Sequence, residues 1–145
     1  MMINNQQFCT FHLEGLFFGI EVHKVQEVLR YQEMTRVPIA SPAIRGLINL
    51  RGQLVTAIDL RRRLGLEDRI DQELPMNVIV NTNDGAVSFL VDEIGDVIQV
   101  NGDIFERPPM TMKSNLRSVV HGVCKLERQL MLILDVERAV DLEDN

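Results

Sequence analysis

The sequence predicts an all-β protein of two similar lobes with only a few short helices. Three observations carry that expectation. Val and Ile together supply 28 of the 145 residues and Ala only 5, a β-branched composition that fits pleated, half-buried surfaces better than helices. The apolar segments are short and end at Gly, Asn, Asp or Pro, as strands do. Residues 44–64 also lie over residues 120–140 without a gap: Gly46 meets Gly122, Leu50 meets Leu126, Gln53-Leu54 meets Gln129-Leu130, and Asp59 meets Asp135. Upstream, Val22 to Val28 lies over Val91 to Val97 in the same way. Apolar strands align easily by chance, but shared Gly and Asp positions, where turns and caps are decided, mark a repeat.

The elements follow in order. Phe8 to Leu13 and Leu16 to Ile20 flank Glu14-Gly15, which predicts a hairpin. Pro38, Pro42, Gly46 and Gly52 punctuate the next stretch. Val78 to Val80 and Val87 to Val91 flank Asn83-Asp84-Gly85, a second hairpin turn. Helices are expected at about Asp59 to Leu64 and about Asp135 to Leu142, each opened by an Asp able to cap it. This divides the chain into a lobe of about 7–66, a polar connector of about 67–75 and a lobe of about 76–141. Each lobe is marginal for independent stability, so a shared apolar seam is expected, and small barrels of this kind can exchange strands.

Composition excludes several function classes. The apolar share of 46% and charged share of 25% are those of a folded globular chain. A net charge of −6 and an aromatic share of 5% with no Trp argue against nucleic-acid binding, which needs a basic face and stacking rings. The opening residues lack a basic cluster and an apolar run, so no signal peptide is expected. No apolar run reaches the roughly 18 residues that a membrane span requires. Cys9 and Cys124 lie far apart and make no disulfide framework, which fits a cytoplasmic chain with reduced thiols.

Catalytic signals are missing. There is no phosphate-cradling Gly loop, no Gly-x-Ser-x-Gly elbow, and no carboxylate pair placed for acid–base work. Cys9-x-x-His12 and His121-x-x-Cys124 offer four zinc-ligand types, but on a strand residues i and i+3 face opposite ways, so neither pair closes on one ion. No cofactor is expected. Arg61-Arg62-Arg63 reads as a solvated helix face, with protein docking as its functional alternative. Arg51, inside Asn49-Leu50-Arg51-Gly52, and Glu27, inside Val25-Gln26-Glu27-Val28, interrupt apolar strands and need either a partner or solvent. The repeat counterpart of Arg51 is Glu127, so the second copy does not keep this Arg, while the counterpart of Glu27 is Asp96.

Phe18-Gly-Ile-Glu-Val-His-Lys-Val-Gln-Glu-Val28, Thr35-Arg-Val-Pro38, Gly46-Leu-Ile-Asn-Leu-Arg-Gly52, Ile58-Asp-Leu-Arg61, Phe89-Leu-Val-Asp-Glu-Ile94 and Leu132-Ile-Leu-Asp-Val136 together resemble the CheW family of chemotaxis coupling proteins. The resemblance runs from about residue 7 to about 141, in the family's order. It implies two SH3-like five-stranded β-barrels around a common apolar seam, and a non-enzymatic adaptor holding a CheA-type histidine kinase, through that kinase's regulatory domain, to the cytoplasmic tips of methyl-accepting chemoreceptors. Such a chain is cytoplasmic and recruited to receptor arrays at the inner membrane. The resemblance also implies that Val25, Glu27, Gly46 and Arg51 belong to the receptor-coupling site, with Val87 near the same groove, which would take a receptor helix hairpin. Two departures stand out: Thr56 where the family commonly has Pro, and Ser88 where Gly is frequent. The rival reading is a small ligand- or metal-binding β-barrel regulator, which leans on the Cys/His pairs.

Overall fold

The computed structural model describes residues 5–38, 41–70 and 73–142; the opening residues 1–4, read above for a signal peptide, and Asp71-Gln72 of the connector lie outside them. The chain runs β1 (Asn5–Leu13), β2 (Leu16–Glu21), β3 (Val25–Leu29), β4 (Ile44–Leu50), β5 (Gln53–Asp59), α1 (Leu60–Arg63), β6 (Met76–Thr82), β7 (Gly85–Val91), β8 (Glu93–Asn101), β9 (Phe105–Glu106), α2 (Ser114–Arg117), β10 (Val120–Lys125), β11 (Leu130–Leu134) and α3 (Val136–Val140). Tight turns set this rhythm. Glu14 and Gly15 hold φ of 48° and 81°, and Arg51 and Gly52 hold 53° and 84°; two successive left-handed residues match the twist of the strands that such a turn joins. Both expected helices are present but short. The Asp59 carboxylate accepts from the Arg61 backbone N–H at 3.1 Å and the Asp135 carboxylate from that of Arg138 at 3.2 Å.

Two sheets result, ordered β8-β1-β2-β11-β10-β9 and β3-β6-β7-β5-β4. The resemblance implies five strands per lobe; the first sheet gains a sixth, the two-residue β9. Lobe limits of 7–66 and 76–141 do not coincide with the sheets. The β1–β2 hairpin joins β8, β10 and β11 from the far half of the chain, and the β6–β7 hairpin joins β3, β4 and β5. Two parallel pairings make this exchange: Leu132 of β11 opposite Phe18 of β2, and Ile58 of β5 opposite Phe89 of β7.

The exchange explains where the core sits. Alternate residues of each strand point to opposite faces. Phe11, Phe18, Ile20 and Leu132 of the six-stranded sheet and Ile58, Val78, Val80 and Phe89 of the five-stranded sheet form one buried cluster, the seam between them. Phe11 and Phe18 stack there, centroids 5.3 Å apart. The opposite face of the six-stranded sheet buries Phe8, Phe17, Cys124, Met131 and Ile133. The opposite face of the five-stranded sheet buries smaller sets, Ile48, Ala57 and Leu90 beside Leu50, Val55 and Ile79. Each sheet is thus apolar on both faces, and hydrophobic burial couples the halves.

The run Arg61-Arg62-Arg63 is not a solvated face. Arg61, with 12% of its side chain exposed, grips Asp92 through Nε at 2.9 Å and Nη2 at 2.5 Å. Arg62 forks onto Asp68 at 3.0 and 3.3 Å, and Arg63 donates to the carbonyls of Arg138, Ala139 and Asp141. Arg69, in the connector and 5% exposed, donates Nε and Nη2 to Asp92 and lies 3.8 Å from Asp59, which also accepts from Arg45 at 3.2 Å. Asp92 further accepts from the Glu14 backbone N–H at 2.8 Å. Burial pushes the Asp92 carboxyl up, but hydrogen bonds from Arg61, Glu14 and Arg69 outweigh it and hold it below the usual carboxylate range. One carboxylate therefore ties the β1–β2 turn, α1 and the connector together.

Candidate functional site

The two charges that interrupt apolar strands find each other. Arg51 Nη1 donates to Glu27 Oε1 at 3.3 Å, and Nη2 pairs with Oε2, a fork-to-fork arrangement suited to guanidinium and carboxylate. β3 and β4 are the outermost strands of the five-stranded sheet, so the pair shows a sheet curled until its edges meet. The turn contributes geometry. Arg51 adopts φ of 53°, uncommon for a side chain with a Cβ, and the Asn49 side chain holds the turn by accepting from the Gly52 N–H at 2.9 Å. Arg51 remains 65% exposed and Glu27 25%, so the pair is presented to solvent. The hydrogen bond from Arg51 holds the Glu27 carboxyl below its ordinary value, and Glu27 holds the guanidinium above its own.

Curling is completed next to Gly46. Thr35 and Leu47 exchange backbone hydrogen bonds of 2.9 and 2.8 Å, bringing the chain after β3 onto β4. A Cβ on Gly46, whose φ is 155°, would sit 2.5 Å from the Thr35 carbonyl oxygen. Gly46 is buried, and its part in any site is to let this strand approach.

Four of the five expected site residues fall in two cross-strand rows. Val25, Val80, Val87, Thr56 and Leu47 are successive partners across the sheet, and Val25 and Val87 are half-buried against the seam core. Glu27, Ile79, Ser88, Ala57 and Gly46 form the row on the opposite face. Arg51 stands at the turn beyond both. Leu54, which sequence reading did not single out, lies two residues before Thr56 on the Val87 face and is 66% exposed. No local signal marked it, since both faces of this sheet bury apolar residues and adjacent apolar positions such as Val78-Ile79-Val80 are all buried.

A model of the CheW-like domain matches residues 7–144. The chain belongs to the CheW family. It is 31% identical over 140 residues to the chemotaxis protein CheW of Bacillus subtilis, covering 97% of this chain and 90% of that one. With CheW of Treponema pallidum it shares 28% over 144 residues, covering 95% and 85%. The crystal structure of the scaffolding protein TtCheW from Thermoanaerobacter tengcongensis superposes with a TM-score of 0.87 at 24% identity, covering 99% of this chain and 97% of that one. This CheW-family chain is accordingly an all-β, two-lobed, non-enzymatic adaptor that serves as a chemotaxis scaffold and coupling protein.

Both departures from the family pattern have local explanations. Ser88 is fully buried and donates to Asn77 Oδ1 at 2.7 Å, while Asn77 Nδ2 donates to the Arg30 carbonyl at 3.0 Å. The hydroxyl thus belongs to a satisfied buried relay that locks β7, β6 and the end of β3. Thr56 sits in β5 between β4 and β7, a central position where Pro would remove a ladder donor. The metal alternative gains no geometry: among the described residues no three His, Cys, Asp or Glu side chains gather as ligands. Cys9 and His12 alternate to opposite faces of β1, and burial pushes both thiols up, away from the thiolate that binds metal. No helix among the described residues is long and apolar enough to cross a membrane.

Proposed function

We propose that this CheW-family chain couples the cytoplasmic tips of methyl-accepting chemoreceptors to the regulatory domain of a CheA-type histidine kinase, in the cytoplasm at receptor arrays on the inner membrane. The observation that carries the reading is the exposed Arg51–Glu27 fork at the rim of the curled sheet. Val25, Val87 and the exposed Leu54 form an apolar row on the sheet face opposite the Glu27 row. A receptor helix crossing the rim would set a polar side chain against the fork and apolar anchors toward Leu54, the helix-in-groove mode. Gly46 acts indirectly, by keeping the Thr35 segment close to β4.

The test is kinase autophosphorylation with receptor fragments clustered on vesicles. Adding the protein is expected to activate the kinase strongly, and Arg51→Glu to abolish activation while barely shifting the melting temperature, since so exposed an ion pair contributes little to stability. An unfolded Arg51→Glu variant would make the fork structural and remove the site assignment.

A further inference from the structure

We propose that the cationic cleft between residues 107–110, α2 and the start of β10 docks an extended acidic segment of a partner protein. The cleft, about 600 Å³, is lined by Arg107, Arg117, Arg138 and His121, with the hydroxyl-bearing Ser114 and Ser118 between them. No Asp or Glu among the described residues lines it, in a chain whose formal charge is −6.

The repeat supplies an internal control. A second cleft, about 340 Å³, is lined by Arg36, Val37, Ile44, Arg45 and Arg62. Residues 44, 45 and 62 are the repeat counterparts of Val120, His121 and Arg138. In that first copy two of the three cations are already matched: Arg45 pairs with Asp59 at 3.2 Å and Arg62 forks onto Asp68 at 3.0 Å. In the second copy the match is looser. Arg138 reaches only one acid, Asp135 Oδ2, at 3.7 Å, while Oδ1 of that carboxylate caps α3. Arg117 donates to the Met110 carbonyl at 2.9 Å, a contact that orders its guanidinium without cancelling the charge. Arg107 is exposed and makes no hydrogen bond or ion pair among the described residues.

Guanidiniums gathered without counter-charges repel one another and focus a field that attracts carboxylates, and each presents a fork that a carboxylate fits bidentately. Their spacing decides the kind of ligand. The cations come from three separate elements and a connecting segment and stand largely in solvent, so no single small anion is enclosed. Several carboxylates along an extended chain would meet them in turn. Met110, 83% exposed beside the cleft, offers an apolar contact to the same segment. This site lies on the six-stranded sheet's side of the molecule, so it stands independently of the Arg51–Glu27 reading.

The experiment is a nitrogen–proton correlation spectrum of the full chain, titrated with a synthetic Asp/Glu peptide carrying one central Leu and, in parallel, with inorganic phosphate. Saturable shifts are expected around residues 107–110, 114–118, 121 and 138, with none around 36, 45 and 62. The dissociation constant should rise about tenfold between roughly 0.05 and 0.5 M ionic strength. Arg107→Glu, which removes no contact within the fold, should weaken binding at least about tenfold, and Arg36→Glu should leave it unchanged. No saturable shift, equal shifts at both clefts, equal sensitivity to Arg36→Glu, or phosphate binding the same residues as tightly as the peptide would each overturn the proposal.

Discussion

The β4–β5–α1 unit and the β10–β11–α3 unit are two copies of one design, and they agree where backbone geometry is decided and differ where charge is placed. In each, a register shift falls beside the matched glycine, Gly46 or Gly122. In each, the N–H of the matched Asp donates to the carbonyl of the residue before the first strand, Asp59 to Ala43 and Asp135 to Val119, both at 2.7 Å. Each short helix reaches across the seam toward the other sheet's hairpin: Arg61 to Asp92, which also holds the Glu14 N–H, and its counterpart Glu137 to the Asn83 N–H at 3.1 Å. The turns then diverge. Arg51-Gly52 is left-handed at both positions, whereas neither Glu127 nor Arg128 has a positive φ. Only the first copy presents its Arg from such a turn and answers it with Glu27. Folding constrains glycines and caps in both copies, and leaves the charged positions free to specialise.

The largest expected effect tests whether the copies stand or fall together. Phe89→Ala removes a fully buried ring from the seam and should cost about 3–5 kcal/mol, with denaturant unfolding remaining a single transition. Two separable transitions would show that the halves are not interlocked. Next comes the Asp92 clamp, which the second copy lacks. Asp92→Asn leaves Arg69 and Arg61 without their carboxylate and should cost about 2–3 kcal/mol. Because the folded carboxyl is held low, its contribution is complete above the ordinary Asp value of about 3.9 and is lost as pH falls toward the depressed folded value. Thermal melts across that acid window should therefore fall more steeply for the wild type than for Asp92→Asn.

Smaller substitutions sharpen the match between the copies. A Cβ at Gly46 meets the Thr35 carbonyl at 2.5 Å, while one at Gly122 meets the Glu106 carbonyl at 3.0 Å. Gly46→Ala should cost about 1–3 kcal/mol and Gly122→Ala under about 1, and equal costs would deny the first copy its tighter closure. Ser88→Ala should cost about 1 kcal/mol by removing the donor to Asn77, read as a modest fall in melting temperature.

Much of this was legible beforehand, and the boundary is physical. The turn at Glu14-Gly15, the matched glycines and the capping Asp59 and Asp135 are local signals, and the structure uses each one. Partner choice over long separations is not local. Nothing around Phe18 announces that its strand lies parallel to Leu132, since the β1–β2 and β6–β7 hairpins are equally apolar and either could have joined either sheet. Arg61 read as solvated because Asp92 lies 31 residues away. Glu27 and Arg51 were recognisable as charges in need of partners, but their pairing depends on how far the sheet curls. Ser88 looked like a mere departure because its acceptor, Asn77, is on a neighbouring strand.

The hairpin exchange also bears on how the chain is made. A ribosome releases residues in order, at roughly 5–20 per second. When the first seventy have emerged, β1 and β2 still lack β8, β10 and β11, and β3, β4 and β5 lack the hairpin that separates them in their sheet. The five-stranded sheet can assemble once Val91 is free. The six-stranded one must wait for β11, the strand between β2 and β10, which ends at Leu134, more than forty residues later. Until then the Phe11–Phe18 surface stands uncovered on the nascent chain, the interval in which an aggregation-guarding chaperone would have most to do.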